Sequence, residues 1–153
     1  MKRRNIVTAA AGASAVYSAA GSASAGAAVA DDAQRVVYHV TSEKGPEGRN
    51  WRPILGNMEN HLDAVGDDKL TLVAVLNAGG LGLLRQAAQD TALQQRIAAP
   101  KRRGVRFRVC RNSMRAMELT IADLFDVQDA DLVQAGVVEV VRWQQDGFAY
   151  LRP

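Results

Sequence analysis

The sequence predicts an α/β fold, a three-layer sandwich on a mostly parallel sheet of about five strands with a C-terminal antiparallel hairpin strand. Two observations carry this. Short β-branched runs at 35–40 (RVVYHV), 69–76 (KLTLVAVL), 105–109 (VRFRV) and 137–143 (VVEVVRW) alternate with stretches of helical periodicity. Within the second run, LVAVL is apolar at consecutive positions, which suits a central strand covered on both faces.

Between the first two runs, Trp51, Ile54, Leu55, Met58, Leu62 and Val65 recur at helical spacing. Asn50 is placed to cap that helix, Pro53 is tolerated in its first turn, and Gly66 can close its end. A second helix is expected over part of Leu83–Ala99, bent or stopped near Pro100. A third follows the cysteine, with Met114, Met117, Ile121 and Leu124 on one side. Asp146-Gly147 lies between VVRW and FAYL, which signals a hairpin and an antiparallel last strand. Strand and helix in this order imply right-handed crossovers. No internal repeat interrupts the pattern.

At 153 residues and 48% hydrophobic, the chain suits one domain that buries a core without disulfides or metal. Its first thirty residues, MKRRNIVTAAAGASAVYSAAGSASAGAAVA, read as an address. A basic start precedes an uncharged Ala/Gly/Ser stretch and two A-x-A sites, Ala23-Ser24-Ala25 and Ala28-Val29-Ala30. The Arg3-Arg4 pair and the weakly hydrophobic middle favour twin-arginine export, so residues 1–30 are the expected signal and 31–153 the exported, periplasmic domain. The rival is an uncleaved membrane anchor, since the stretch is long enough to span a bilayer.

Charge then excludes a class of partner. The net +3 comes entirely from Lys2, Arg3 and Arg4, and the rest of the chain balances 16 basic against 16 acidic residues. A phosphate-backbone footprint needs a net basic surface, and aromatics for base stacking are only 5% of the chain. Nucleic acid is therefore not an expected partner.

The stretch VRFRVCRNSM holds the lone cysteine, Cys110, with Arg106, Arg108 and Arg111 within four residues and Arg115 just beyond. In open α/β sheets ligands bind at the carboxyl ends of strands, and Cys110 stands where the third strand hands over to a helix. Asn112 and Ser113 are good caps for that helix, which puts the thiol beside unsatisfied amides. Amide dipoles there favour an anion by ~0.3–1 kcal/mol. An arginine close by lowers an acid's pKa by roughly 1–3, so a single well-aimed guanidinium is expected to be the larger effect. The competing reading is an inert core cysteine, the commoner fate of an unpaired thiol; export weighs against it, because an idle thiol there risks oxidation.

Other patterns are weaker. Ala78-Gly79-Gly80-Leu81-Gly82, with Asn77 before it, follows the second strand and can bring amides against an anion, but it lacks the Lys-Ser/Thr of a phosphate loop. A plain turn is the simpler reading. Lys101-Arg102-Arg103 before Gly104 reads as a solvated helix end. With one Cys and the two histidines His39 and His61 unpaired in spacing, no metal and no cofactor are expected. His39 becomes a proton donor to Cys110 only if the first and third strands are neighbours; otherwise it reads as a hydrogen-bonded structural histidine. No Ser-His-Asp pattern or carboxylate pair stands out.

The string VRFRVCRNSM, preceded by LTLVAVLNAGGLGLL and followed by AGVVEVVRWQQDGFAYLRP, resembles the DsrE/DsrF-like family, in particular its small exported members. The resemblance runs from about Arg35 to Pro153. NMENHL, Asn57 to Leu62, is similar to the asparagine-bearing first helix of these proteins. The resemblance implies a mostly parallel α/β sandwich assembled as a trimer or hexamer. In the cytoplasmic branches it implies a cysteine that carries sulfur as a persulfide between partners, and Cys110 is the position that corresponds.

The expected function is that of an exported sulfur carrier, more a carrier than a turnover enzyme. Cys110 holds the sulfur; Arg108, Arg111, Asn112, Ser113, Asn77, Gly79 and Gly80 surround it; a sulfur donor and acceptor are its partners. Two alternatives stand beside it. One is a small-anion or protein-binding module using loops 41–50 and 77–84, with an incidental cysteine. The other is a sulfenate redox role, for which the chain has no second cysteine to resolve the intermediate.

Overall fold

The consecutive apolar residues 70–76 form the middle strand of a five-stranded, wholly parallel sheet in the computed structural model, ordered β4-β3-β2-β1-β5. The structure describes residues 33–42 and 50–153, and the predicted signal over 1–30 lies outside them. The strands are β1 (Gln34–Val40), β2 (Leu70–Leu76), β3 (Arg106–Cys110), β4 (Leu132–Val133) and β5 (Ala149–Leu151).

Alternate strand residues serve two cores. Val36, Tyr38, Val40, Leu72, Ala74, Phe107 and Val109 pack under three helices, α1 (Arg52–Val65), α2 (Gly82–Ala87) and α3 (Thr91–Arg102), together with Met114 of the short α4 (Arg111–Ala116). Val37, Val73 and Val75 face the other way, against Val140 and Trp143 of α5 (Gly136–Gln145) and Phe148. This is the expected three-layer sandwich.

The first helix forms as its spacing predicts. Ile54, Leu55, Met58 and Leu62 are its buried residues and Gly66 closes the end at φ 93°, but the N-cap is Trp51 and not the expected Asn50, whose Oδ1 accepts the Arg52 amide at 3.1 Å from one residue before it. The second expected helix is two. The chain breaks after Ala87, and Asp90 restarts it by accepting the Leu93 amide at 3.0 Å. Pro100 sits in the last turn of α3 and does not stop it; the helix runs to Arg102. The third helix is shorter than expected. It ends at Ala116, and Ile121 and Leu124 lie in and after a separate 3-10 turn, Ile121–Asp123.

The largest correction is at the C-terminus. Residues 137–143 are not a strand: they form the body of α5, with Val137, Val138 and Val141 about half exposed and Gly136, Glu139, Val140 and Trp143 turned inward. Asp146-Gly147 is consequently a helix end and not a hairpin. The Gly147 amide donates to Gln144 O at 3.0 Å and the Phe148 amide to Trp143 O at 2.9 Å, with Gly147 at φ 83°. This is the double closure that a left-handed glycine permits, and the Phe148 ring packs on Trp143 at 4.6 Å as its hydrophobic contact. The final strand β5 then pairs with β1 in parallel, Val37 opposite Tyr150, which overturns the antiparallel expectation.

Right-handed crossovers explain which face each helix takes. The chain steps from β1 through β2 and β3 to β4 in one direction, and its helices and turns stay on one face. It then returns across the whole sheet to the far edge, so α5 must cross on the opposite face. That return brings the start of α5 to the carboxyl end of β3, beside the cysteine.

Candidate functional site

Cys110 is the last residue of β3 and the N-cap of α4. Its Sγ accepts the Ser113 amide at 3.4 Å, so the thiol itself does the capping that Asn112 and Ser113 were expected to do. The side chain is buried, with 4% of its surface exposed.

A second helix start meets it from the opposite layer. Gly136 is the first residue of α5, and a Cβ built on it would stand 3.4 Å from Cys110 Cβ and 2.9 Å from Asn77 Cβ. Only glycine lets the two chains approach so closely. Ala135, the N-cap of α5, brings no polar side chain, which leaves the Gly136 amide to the sulfur.

Burial raises the pKa of the Cys110 thiol. Hydrogen bonds from the Ser113 hydroxyl and from the backbone amides of Gly136, Ser113 and Asn112 outweigh it and hold the thiol below its ordinary value. Donors to a charged acceptor are worth about 1.5–3 kcal/mol each, so several together overcome a partial loss of water.

The arginines are not among these donors, which corrects the expectation that one of them supplies the larger effect. Arg108 donates to Ala130 O at 2.5 Å and pairs with Glu139 at 3.5 Å. Arg111 pairs with Asp129 at 3.4 Å, and Arg115 donates to Asn112 Oδ1. Arg106 stacks over Trp143 at 5.0 Å. Each guanidinium has a partner away from the sulfur.

The other predicted residues divide. Asn112 uses its side chain within the loop, accepting also from Gln134 Nε2 at 3.1 Å. Ser113 Oγ accepts the Ala78 amide at 2.8 Å, tying the loop after β2 to the cysteine. Asn77 lies at the site, flanking Gly136. Gly79 and Gly80 do not: they form a 3-10 turn pressed on the end of β1, where a Cβ on Gly80 would fall 2.0 Å from Val40 O. The plain-turn reading of these glycines stands.

The histidine expectation also resolves. β2 separates β1 from β3, so His39 is not beside Cys110. Its Nε2 lies 3.0 Å from Asn77 Oδ1 and its Nδ1 3.1 Å from Tyr150 Oη. Burial lowers its pKa, the bond to Asn77 raises it, and the charge of Arg152 lowers it again, for a net fall. His61 bridges Tyr38 and Gln34 at 3.2 and 2.9 Å, a structural histidine. Two of the three residues in the basic run are paired, Lys101 on Asp126 at 2.5 Å and Arg103 on Asp63 and Asp67 at 2.6 and 2.7 Å, and Arg102 between them is exposed, as a solvated helix end predicts. Among the described residues, no group of three or more His, Cys, Asp or Glu is placed to hold a metal, and no helix is long and apolar enough to cross a membrane.

Sequence reasoning missed Gly136, because a residue opening a supposed strand has no amide to spare. The signal was present: Gly136, Glu139, Val140 and Trp143 are spaced i, i+3, i+4, i+7, a helical period.

Residues 55–153 match the family model of the DsrE/DsrF-like family. The chain belongs to the DsrE/DsrF-like family. Among solved structures, this DsrE/DsrF-like chain is similar to that of MTH1491, a protein of unknown function from Methanobacterium thermoautotrophicum, at 29% identity and a TM-score of 0.65. The similarity covers 78% of this chain and 99% of the other. No curated protein matches. The matched region of this DsrE/DsrF-like domain contains Cys110, Ser113, Asn77 and Gly136, and begins after β1, which carries His39.

Proposed function

We propose that this protein is an exported sulfur carrier that holds a persulfide on Cys110. The observation that supports this reading is the place of the Cys110 sulfur, which caps α4 by accepting the Ser113 amide at 3.4 Å with the start of α5 at Gly136 closing on it, and whose thiol pKa is lowered. Membership of a family associated with sulfur relay supports it further. Export rests on the sequence of residues 1–30, and assembly as a trimer or hexamer on the family resemblance.

In the loading step the Cys110 thiolate attacks the outer sulfur of thiosulfate. A Cys110 sulfur–sulfur bond forms, the sulfur–sulfur bond of thiosulfate breaks, and sulfite leaves with its electron pair. The charge moves to the terminal sulfur of the persulfide, still within reach of the amide donors, which act as they would on an oxyanion. In the release step an acceptor thiolate attacks that terminal sulfur, and Cys110 departs as the thiolate. No net oxidant is required.

The test is intact mass. Purified protein incubated with thiosulfate or polysulfide gains one sulfur atom, and Cys110→Ser gains none. An unchanged mass for the wild type overturns the carrier reading.

A second reading, a small-anion-binding module with an incidental cysteine, is supported by an observation away from the loops 41–50 and 77–84 expected to serve it, the first of which lies mostly outside the described residues. Arg111 and Arg115 line a cleft of about 250 Å³ with Met114, Leu119, Ile121 and Leu132. Its test is direct titration with thiosulfate and with sulfate: binding by Cys110→Ser that Arg111→Ala and Arg115→Ala lose favours the module.

A further inference from the structure

We infer that His39 is a positioning residue for the Cys110 site and acts through Asn77. The inference deepens the carrier reading and rests on Cys110 as the reacting group.

The strand order places Tyr150, His39, Asn77 and Cys110 in succession, in or just after β5, β1, β2 and β3. The first three are joined by hydrogen bonds of 3.1 Å and 3.0 Å. An amide oxygen only accepts, so His39 Nε2 must carry the proton it shares with Asn77 Oδ1. A neutral imidazole then has a bare Nδ1, which takes the proton of Tyr150 Oη. The neutral tautomer with its proton on Nε2 satisfies both bonds, and both protonation states keep the Nε2 proton on Asn77 Oδ1.

This tautomer fixes the Asn77 amide. The oxygen and nitrogen of a planar amide diverge from one carbon, so an oxygen held toward β1 turns the Nδ2 donor away from β1. β3 lies on that other side of β2, and Asn77 and Cys110 flank the same point at the start of α5, where a Cβ on Gly136 would stand 2.9 Å from Asn77 Cβ and 3.4 Å from Cys110 Cβ. That turns the Nδ2 group to the Cys110 side of β2, and the inferred donation from it to the anionic sulfur adds to what α4 and α5 supply. Without His39 the amide rotates freely, and its oxygen, turned to a thiolate or a persulfide anion, repels it. The groups facing His39 are Tyr150 and Arg152 from the β5 side and Asn77 from β2.

The experiment measures the rate of iodoacetamide alkylation of Cys110 against pH, on the full chain. His39→Leu moves the inflection upward, and the thiolate fraction at neutral pH falls about tenfold. His39→Gln, whose amide N–H can still donate to Asn77 Oδ1, restores most of it. Asn77→Ala matches His39→Leu, and the double variant moves no further than either single one, because both act through one donor. An unchanged inflection in His39→Leu, or shifts that add in the double variant, overturns the inference. If His39→Leu does not fold, Asn77→Ala decides alone, and an unchanged inflection there is equally fatal. Sulfur uptake by the wild type is read separately by mass, so the carrier reading and this one can fail independently.

Discussion

The Ala78 amide donates to Ser113 Oγ at 2.8 Å, joining the turn after β2 to the helix after the cysteine. Because Oγ is occupied as an acceptor, its own proton is left for the Cys110 sulfur. Ala78 takes φ 46° to reach it, a left-handed conformation that costs a non-glycine residue roughly 1–2 kcal/mol.

Ser113→Ala removes both halves of that arrangement. The inflection for Cys110 alkylation is expected to rise, with about a tenfold loss of thiolate at neutral pH. Orphaning the Ala78 amide costs a further 0.5–1.5 kcal/mol or so, read as a lower urea midpoint. An unaltered alkylation profile contradicts the hydroxyl's role.

Gly136→Ala puts a methyl group 2.9 Å from Asn77 Cβ, closer than real contacts allow. Either Asn77 or the start of α5 must move. A stability loss of about 1–3 kcal/mol is expected, together with a higher thiol pKa as the Gly136 amide leaves the sulfur. Full stability with an unmoved pKa would show that the gap between the layers is looser than described.

Two further glycines separate packing from propensity. Gly80→Ala drives its methyl group to 2.0 Å from Val40 O, a backbone atom that cannot turn aside, so a loss on the order of 3 kcal/mol or more is expected. Gly56→Ala meets nothing within 4 Å in the interior of α1 and should gain about 0.5–1 kcal/mol. Urea midpoints of the two variants check both signs, and equal effects would refute the packing argument.

Much of the scaffold was legible in the sequence, and the exceptions have physical causes. LVAVL announces a central strand because burial on both faces leaves no polar position, and α1 announces itself through one apolar stripe with a glycine stop. VVEVVRW misled because β-branched residues raise strand propensity, a weak preference that the packing of Val140 and Trp143 on the sheet overrides. The error then propagated: without α5, Asp146-Gly147 had no helix to close and was assigned to a hairpin. β4 has only two residues, too few for any periodicity. At the site, Cys110, Ser113 and Asn77 were visible from their place at strand ends. The aim of an arginine is a tertiary fact, and here Asp129, Glu139 and Ala130 O claim the side chains.

Stability should depend on pH through the same sulfur. A thiol whose pKa is lower folded than unfolded adds stability that is complete above the unfolded value, near 8.5, and is lost as the pH falls through the folded value. The urea midpoint of the wild type is therefore expected to gain on that of Cys110→Ser between neutral and mildly alkaline pH. Parallel curves would mean that folding does not favour the anion.

The most direct measurement is the alkylation rate of wild-type Cys110 by iodoacetamide as a function of pH. An inflection clearly below the ordinary thiol value of about 8.5 is the predicted result, since hydroxyl and amide donors outweigh burial. An inflection at or above that value would contradict the account, leaving Cys110 a buried thiol in a DsrE/DsrF-like fold.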